Sequence, residues 1–313
     1  MTDLITSLNI TLPLIFMLAA GYGLRKLGWI SKDFIRIANK LNYNVFLPCS
    51  VFAGTYCSGY DIASCADVLL IVVISLIAMF LISIAVSVIS TTNKPRRGTM
   101  ITGMYRSNYA YVGIPVVCAI LGVTSNVLAS ITLAVCSMVS NVLTPIGFSI
   151  NSGEKLSIKK LLKDVFANSY IIATIAAFIL MLLKCPQFPT AIHKTITSLG
   201  SVCTPLAVVA LGANLDFDAI KDKRRLLRVT NIFRLIVFPL IGTIVCILMG
   251  LRGEKLAVLY TLYACPAATL LFTVSQEMGG DTDLATEIVA VGTAFSMVTM
   301  TIGIYILKSI GMF

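Results

Sequence analysis

Charged and metal-ligating side chains are scarce in this sequence. Only 12% of the 313 residues are charged, 58% are hydrophobic, and histidine occurs once, at His193. An average soluble domain is about 25% charged and about 45 to 50% apolar. With a mean hydropathy of +0.93, the composition excludes a soluble globular fold and indicates a membrane protein.

Patterns of paired cysteines are also missing. The nine cysteines include no C-x-x-C pair, whereas a structural metal site needs a cluster of cysteine or histidine ligands. We therefore expect no metal and no cofactor, and we interpret the cysteines as small apolar packing residues. Cys57 and Cys65 flank one short loop, and a disulfide between them is the alternative.

Long apolar runs fill most of the chain. A membrane-spanning helix needs about 20 apolar residues, and outer-membrane barrels instead show alternating segments of about 10 residues. The continuous runs exclude a barrel and predict an all-α polytopic membrane protein. Its ten predicted spans are 7–24, 34–57, 67–90, 98–121, 127–150, 165–184, 191–215, 226–250, 255–276 and 284–307.

Basic residues lie mainly in alternate loops. Loops rich in lysine and arginine stay on the cytoplasmic side, so we expect a cytoplasmic (inner or plasma) membrane protein with both termini outside. The net charge of +10 then reflects topology, and no aromatic-rich basic patch indicates a nucleic-acid partner. The basic residues of the odd-numbered loops are Arg25, Lys26, Lys32, Lys94, Arg96, Arg97, Lys155, Lys159, Lys160, Lys163, Lys221, Lys223, Arg224 and Arg225.

The chain repeats itself after half its length. AVCSMVSNVLTPIGFSI (134–150) and AVGTAFSMVTMTIGIYI (290–306) are identical at seven of 17 positions without a gap, at an offset of 156 residues. Two pairs of prolines are separated by similar distances. These pairs are Pro48 with Pro205, 157 residues apart, and Pro115 with Pro266, 151 residues apart.

The common offset predicts two five-helix repeats. The first covers 1–150 and the second 165–313, with a cytoplasmic linker at 151–164. Because five is an odd number, the second repeat enters the membrane from the opposite side. Many secondary transporters use such inverted repeats for alternating access.

Two prolines are predicted to break the fourth and ninth spans. Proline lacks an N–H and clashes with the preceding helical turn, so Pro115 and Pro266 should interrupt their helices, and Gly113 eases the departure from helical geometry. Freed backbone groups are tolerated in a membrane only where they face protein or a water-filled cavity. We therefore expect the broken helices to cross beside a cavity, where half-helix N-termini favour an anion.

Polar side chains near these breaks are the candidate substrate contacts. Asn108 lies one to two turns before Pro115, and its amide can donate to a carboxylate. Arg106 and Arg234 lie well inside predicted spans, where a charge is a functional hypothesis by default; carbonyl capping and interface anchoring are the alternatives. For Asn141, Ser140 and Ser296, hydrogen bonding between helices is the stronger interpretation. The candidate set is Arg106, Asn108, Gly113, Ile114, Pro115, Asn141, Arg234, Cys265, Pro266, Ala267 and Ser296.

These motifs resemble the auxin efflux carrier family in its short prokaryotic form, often described as malate or malonate permease-like. The resemblance runs along nearly the whole chain, through LNYNVFLPCSVFAG, YRSNYAYVGIPVV, FRLIVFPL, YACPAATLLFTVSQEMGGD and AVGTAFSMV. It implies a scaffold of spans 1, 2, 6 and 7, which also forms a homodimer. It further implies a mobile transport domain of spans 3–5 and 8–10, with an organic anion bound at the crossover of an elevator carrier.

Plant members of that family place an asparagine beside the crossover proline in both halves. Here Ile114 and Val116 flank Pro115, and Cys265 and Ala267 flank Pro266. This difference argues against auxin as the substrate.

The expected function is therefore secondary transport of small mono- or dicarboxylates, not enzymatic catalysis. The membrane potential supplies about 2.3 kcal/mol per charge per 100 mV for anion export, whereas uptake needs a coupled proton or sodium ion. A sodium-coupled symporter of the bile-acid type is the alternative, although no aspartate or glutamate is predicted in the middle of a span. An intramembrane enzyme is a minor alternative, raised by MGGD (278–281) and DFDAIKD (216–222), which are more simply a loop and a turn.

Overall fold

A computed structural model describes residues 12–13, 16–17, 19–56, 65–123, 126–152, 169–183, 188–213 and 224–313. Within these ranges the regular elements are helices, with one isolated β-bridge between Ser107 and Ala267. Cys57, the DFDAIKD segment and most of the predicted linker lie outside the described residues. The all-helical fold class is confirmed for the described part of the chain.

Every predicted span contains helix in its described part. Four helical stretches are long and apolar enough to cross a membrane in the described ranges, at Ala66–Ser90, Val127–Ile150, Arg224–Leu248 and Thr282–Ser309. Residues 19–26 are helical. The elements that follow are Lys32–Leu41 (α1), Asn42–Phe46 (π1), Leu47–Tyr56 (α2), Ala66–Ser90 (α3), Lys94–Tyr105 (α4), Tyr109–Gly113 (π2), Ile114–Leu121 (α5), Val127–Ser152 (α6), Ser169–Leu182 (α7), Thr190–Ala213 (α8), Arg224–Ile232 (α9), Phe233–Val237 (π3), Phe238–Leu248 (α10), Gly253–Ala264 (α11), Leu271–Glu277 (α12) and Thr282–Ser309 (α13).

Three prolines widen their helices instead of breaking them. Pro48, Pro115 and Pro239 each follow a π-helical turn of five residues. Proline has no N–H and clashes with the carbonyl four residues before it, and a shift to pairing over five residues keeps the helix continuous. The N–H before each proline donates five residues back, from Leu47 to Asn42, from Ile114 to Tyr109 and from Phe238 to Phe233.

The fourth and ninth spans are each interrupted once. Pro266 lies in the second interruption, between α11 and α12, as predicted. The prediction that Pro115 breaks the fourth span is wrong, because the helix is interrupted at 106–108 and Pro115 is the second residue of α5. Asn108 is therefore part of the break instead of lying before it.

Gly113 is also helical, contrary to the expectation that it lets the backbone leave the helix. Its φ of −64° and ψ of −54° are ordinary α-helical values. A Cβ at this position would collide with the ring of Tyr109. Gly113 is needed here for its small size and not for its conformational freedom.

The helices pack in two groups. The first contains α7 and α8, which both contact α2, while α3–α6 and α9–α13 pack together as the second group. The second group supplies most of the buried hydrophobic core. The groups meet where α8 contacts π2 and where α6 contacts α2 and α7.

Helices α2 and α8 approach closely at Gly200. A Cβ there would lie 2.8 Å from Cα and 2.9 Å from the backbone nitrogen of Ser50, atoms that cannot rotate away. We expect Gly200→Ala to lower the free energy of unfolding by about 1–3 kcal/mol, measured as a lower Tm of the detergent-purified protein. Gly23→Ala is the matched control, because a Cβ at Gly23 has no atom within 4 Å. Equal Tm values for the two variants would contradict this close packing.

Candidate functional site

The two interrupted segments cross and pair through their backbones. The N–H of Asn108 donates to the carbonyl of Pro266 at 2.8 Å, and the N–H of Ala268 donates to the carbonyl of Arg106 at 3.0 Å. Ser107 and Ala267 form the antiparallel bridge between them. These bonds satisfy backbone groups that broken helices would otherwise leave unpaired in an apolar environment.

A small cavity lies beside this crossover. Its volume is about 50 Å³, and one buried water needs at least about 10 to 15 Å³, so the cavity has room for a few water molecules or a small polar solute. Both interrupted segments contribute to its wall. The lining residues are Leu47, Arg106, Ser107, Asn108, Tyr109, Ala110, Tyr111, Leu133, Cys136, Ser137, Ser140, Ala268, Thr269 and Leu270.

Arg106 is the only charged side chain among the described residues that line the cavity. Its guanidinium donates to Oδ1 of Asn141 at 2.8 Å and to Oγ1 of Thr144 at 3.0 Å. A guanidinium has five N–H donors, so the remaining three have no partner among the described residues. The two bonds hold the side chain in place and leave donors for a ligand.

Three more polar groups of the lining are unpaired among the described residues. They are Nδ2 of Asn108 and the hydroxyls of Ser107 and Ser140. Asn108 is 3% exposed and Ser140 is 1% exposed, and a buried polar group without a hydrogen bond costs about 1–3 kcal/mol. A ligand with acceptor oxygens would recover this energy, because each of these groups can donate a hydrogen bond.

The helix that continues the fourth span begins at the cavity. Its first three residues, Tyr109 to Tyr111, line the cavity, and the first intrahelical bond runs from the N–H of Val112 to the carbonyl of Asn108 at 3.0 Å. The preceding N–H groups have no acceptor within the helix, and a helix N-terminus carries about half a positive charge. The backbone and Arg106 therefore both favour a negatively charged ligand.

A family model described as "Membrane transport protein" matches residues 7–304 of the chain. The chain belongs to this family. It is the auxin efflux carrier family, so the resemblance inferred from the sequence motifs is confirmed.

Two relatives match this transporter over nearly their full lengths. An uncharacterized transporter of Methanothermobacter thermautotrophicus is 23% identical over 303 residues, which cover 94% of this chain and 96% of the relative. A second uncharacterized transporter, from Methanocaldococcus jannaschii, is 23% identical over 308 residues, which cover 96% and 98% of the two chains. The crossover cavity therefore belongs to a membrane transporter.

The structure brings part of the predicted site of the transporter together. Arg106 and Asn108 line the cavity, and Asn141 stands behind them as an acceptor for Arg106. Cys265, Pro266 and Ala267 form the second break, but the cavity is lined by the residues that follow them, 268–270.

Four other predicted contacts do not line the cavity. Gly113, Ile114 and Pro115 lie further along the helix than Tyr111, the last lining residue of that segment. Ser296 is fully buried, and its hydroxyl donates to the carbonyl of Thr293 at 2.7 Å. A direct substrate contact by these four residues stays a prediction.

Arg234 does not line the cavity, although it is part of the crossover. It is fully buried in π3. Its guanidinium donates to four backbone carbonyls, those of Cys265 at 2.6 Å, Leu262 at 2.8 Å, Tyr105 at 3.2 Å and Met104 at 3.3 Å. This arrangement is the carbonyl capping that the sequence left as an alternative to substrate contact.

Sequence reasoning missed several lining residues. Ser137 lies one helical turn before Asn141, so helical spacing on the fifth span could have identified it. Ser107 lies between two predicted contacts, Arg106 and Asn108. It could not be identified as a lining residue because the helix break was predicted at Pro115 and not at 106–108. Thr269 has no signal in the sequence, because it lines the cavity only through the course of the second break.

Glu287 is a buried acidic residue near the start of the predicted tenth span, so it does not contradict the expectation that no acidic residue lies in the middle of a span. It is the sixth residue of α13 and is only 2% exposed. It lies three residues inside that span, where a side chain can reach the membrane interface. Packing of other helices around the start of α13 buries it.

Proposed function

We propose that this transporter carries small organic anions, in the range of mono- and dicarboxylates, across the cytoplasmic membrane. The observation that carries the proposal is the donor set of the crossover cavity. One guanidinium, one helix N-terminus and unpaired amide and hydroxyl donors face the same small space, and no described lining residue is acidic. Such a set favours a carboxylate over a cation, because nothing in the described wall would compensate a positive ligand.

One ion pair, one amide–carboxylate hydrogen bond and two helix caps support an inverted repeat. Arg96 Nε donates to Asp281 Oδ2 at 3.1 Å, and Asn126 Nδ2 donates to Glu254 Oε1 at 2.8 Å. Asp281 and Asn126 cap the N-termini of the long helices α13 and α6, and Arg96 and Glu254 lie in the first turns of α4 and α11. Each long helix is thus tied to the first half-helix of the other predicted repeat.

Two glycines support the offset of 156 residues between the two predicted repeats. Gly147 and Gly303 lie 156 positions apart and occupy matching positions in the aligned segments. A Cβ at Gly147 would lie 3.2 Å from the side chain of Ile101 in α4, and one at Gly303 would collide with the hydroxyl of Tyr260 in α11. Each long helix therefore packs through an equivalent glycine on the broken helix of its own predicted repeat.

The two packing groups support an elevator mechanism. The cavity lies at their boundary, since Leu47 of α2 contributes to its wall while the other lining residues belong to the second group. Movement of the second group along the first would expose the cavity to each side in turn. In this proposal the first group is the scaffold, which also forms a homodimer, and both termini lie outside.

Counterflow in proteoliposomes tests the proposed function. Liposomes preloaded with one unlabelled carboxylate would be mixed with a panel of radiolabelled mono- and dicarboxylates, with and without a sodium or pH gradient. We expect saturable exchange of at least one small carboxylate and no exchange of a quaternary ammonium ion of similar size. Protein-free liposomes are the control.

Two results would overturn parts of this assignment. Equal exchange of anionic and cationic solutes would contradict an anion site. Exchange of large amphipathic anions that depends strictly on sodium would favour the bile-acid type of symporter.

A further inference from the structure

The two helix breaks free carbonyl oxygens at the ends of α4 and α11, and four of them are those of Met104, Tyr105, Leu262 and Cys265. In an unbroken helix each carbonyl accepts from the N–H four residues ahead. The N–H of Asn108, which would bond Met104, bonds Pro266 instead, and Pro266 has no N–H to offer to Leu262. The carbonyls of Tyr105 and Cys265 likewise lie at the ends of α4 and α11, beyond which the helices do not continue.

The guanidinium of Arg234 donates to all four of these carbonyls. Nε bonds Cys265, Nη2 bonds Leu262, and Nη1 is shared between Tyr105 and Met104, at 2.6 to 3.3 Å. Four donor–acceptor contacts use most of the five N–H groups of the side chain. One residue thus joins both half-helix C-termini at the crossover.

The charges at this point are balanced. Each helix C-terminus carries about half a negative charge, so two converging ends offer roughly one negative charge to one guanidinium. Among the described residues no carboxylate forms an ion pair with Arg234, which is 0% exposed. The backbone carbonyls are therefore the counter-charge that stabilises Arg234 inside the protein.

The π-helical turn explains how a residue of the eighth span enters the crossover. Arg234 is the second residue of π3, the turn associated with Pro239. A π turn locally widens the helix and re-aims its side chains, and such turns are frequent at functional sites. The arginine is thus presented to the carbonyls at a turn that packs directly against α4 and α11.

In transporters with broken helices, freed carbonyls and half-helix C-termini commonly coordinate a sodium ion or proton. We propose that Arg234 is a fixed counter-cation that occupies this position permanently. It acts as a positioning residue, since it holds both breaks beside the cavity without lining it. One consequence rests on the proposed function: the anion is carried without a metal cation bound at these carbonyls.

Thermal stability without any substrate tests this role. The full chain is purified in detergent, and Tm is measured in sodium chloride and in choline chloride of equal ionic strength. We expect no difference for the wild type, and a Tm lower by roughly 10 °C for Arg234→Ala, which leaves buried carbonyls without their cation. Millimolar guanidinium chloride, and in part sodium chloride, should raise the Tm of this variant in a saturable way, while urea should not.

Arg252→Ala is the matched control. Arg252 also donates to backbone carbonyls, those of Ile247 and Leu251, but at an exposed position. Its loss should change Tm little and should create no response to guanidinium. If Arg234→Ala does not fold, Arg234→Lys keeps a charge at the site and should fold with a Tm that is equal in sodium and choline.

Two outcomes would overturn the proposal. One is a saturable rise in the Tm of the wild type, or of Arg234→Lys, with sodium but not with choline. The other is an Arg234→Ala variant that is as stable as the wild type and indifferent to guanidinium. Because the measurement uses no substrate, neither outcome depends on whether organic anions are transported, which the counterflow experiment decides separately.

Discussion

Alanine in place of Arg106 is expected to slow carboxylate counterflow about 10- to 100-fold. A hydrogen bond to a charged group contributes about 1.5–3 kcal/mol, and each 1.4 kcal/mol corresponds to a factor of ten. Arg106 is the only charged described residue of the cavity wall, and three of its donors are available to a ligand. Initial rates of counterflow at low substrate concentration, with equal amounts of reconstituted protein, measure the effect.

A graded series distinguishes a substrate contact from a structural anchor. Arg106→Lys keeps the charge but loses the planar fork of donors, so its rate should fall between those of the wild type and Arg106→Ala. Asn141→Ala removes one acceptor that orients the guanidinium and should slow counterflow only several-fold. Wild-type rates for Arg106→Ala in folded protein would show that Arg106 does not contact the substrate.

Aspartate in place of Asn108 is expected to abolish carboxylate counterflow, lowering it at least about 100-fold. The substitution keeps the size of the side chain but replaces an N–H donor with a negative charge in a buried position, and like charges brought together in an interface cost several kcal/mol. Asn108→Ala removes the donor without adding charge and should lower the rate about tenfold. The backbone bond of Asn108 to Pro266 is independent of the side chain, so both variants should remain folded.

Asn44 provides the matched control for this pair. It is an exposed asparagine on π1, whose amide donates to the carbonyl of Lys40. Asn44→Asp and Asn44→Ala should transport at the wild-type rate. If Asn108→Asp and Asn108→Ala slowed counterflow equally, the charge of the ligand would not be the reason, and the assignment of an anion to this cavity would fail.

The positions of the helix breaks could be predicted only in part. Pro266 marks its break correctly, because a proline after the end of α11 removes the donor that Leu262 would need. Pro115 is misleading, since the same chemistry can be absorbed by a π turn that leaves the helix continuous. Whether a proline breaks or widens a helix depends on which groups donate hydrogen bonds to the freed carbonyls. Those donor groups come from other helices.

The residues of the candidate site could likewise be predicted only in part. Arg106 and Asn108 were recognisable because charged and amide side chains are costly in an apolar span and need a reason to be there. Ser107 and Thr269 were not, because serine and threonine are common in membrane helices, and only the course of the crossing segments brings them to the cavity. Arg234 was recognised as unusual, but its four carbonyl partners lie in two segments far away in the sequence.

The sequence by itself determined that this protein is an all-helical membrane transporter of the auxin efflux carrier family. Hydropathy over about 20 residues decides insertion into a bilayer, and the order of the motifs along the chain identifies the family. Only the tertiary structure decided where the fourth span opens, since Arg106 to Asn108 contain neither glycine nor proline. That break exists because Pro266, Ala268 and Arg234 supply the hydrogen bonds that the helix gives up.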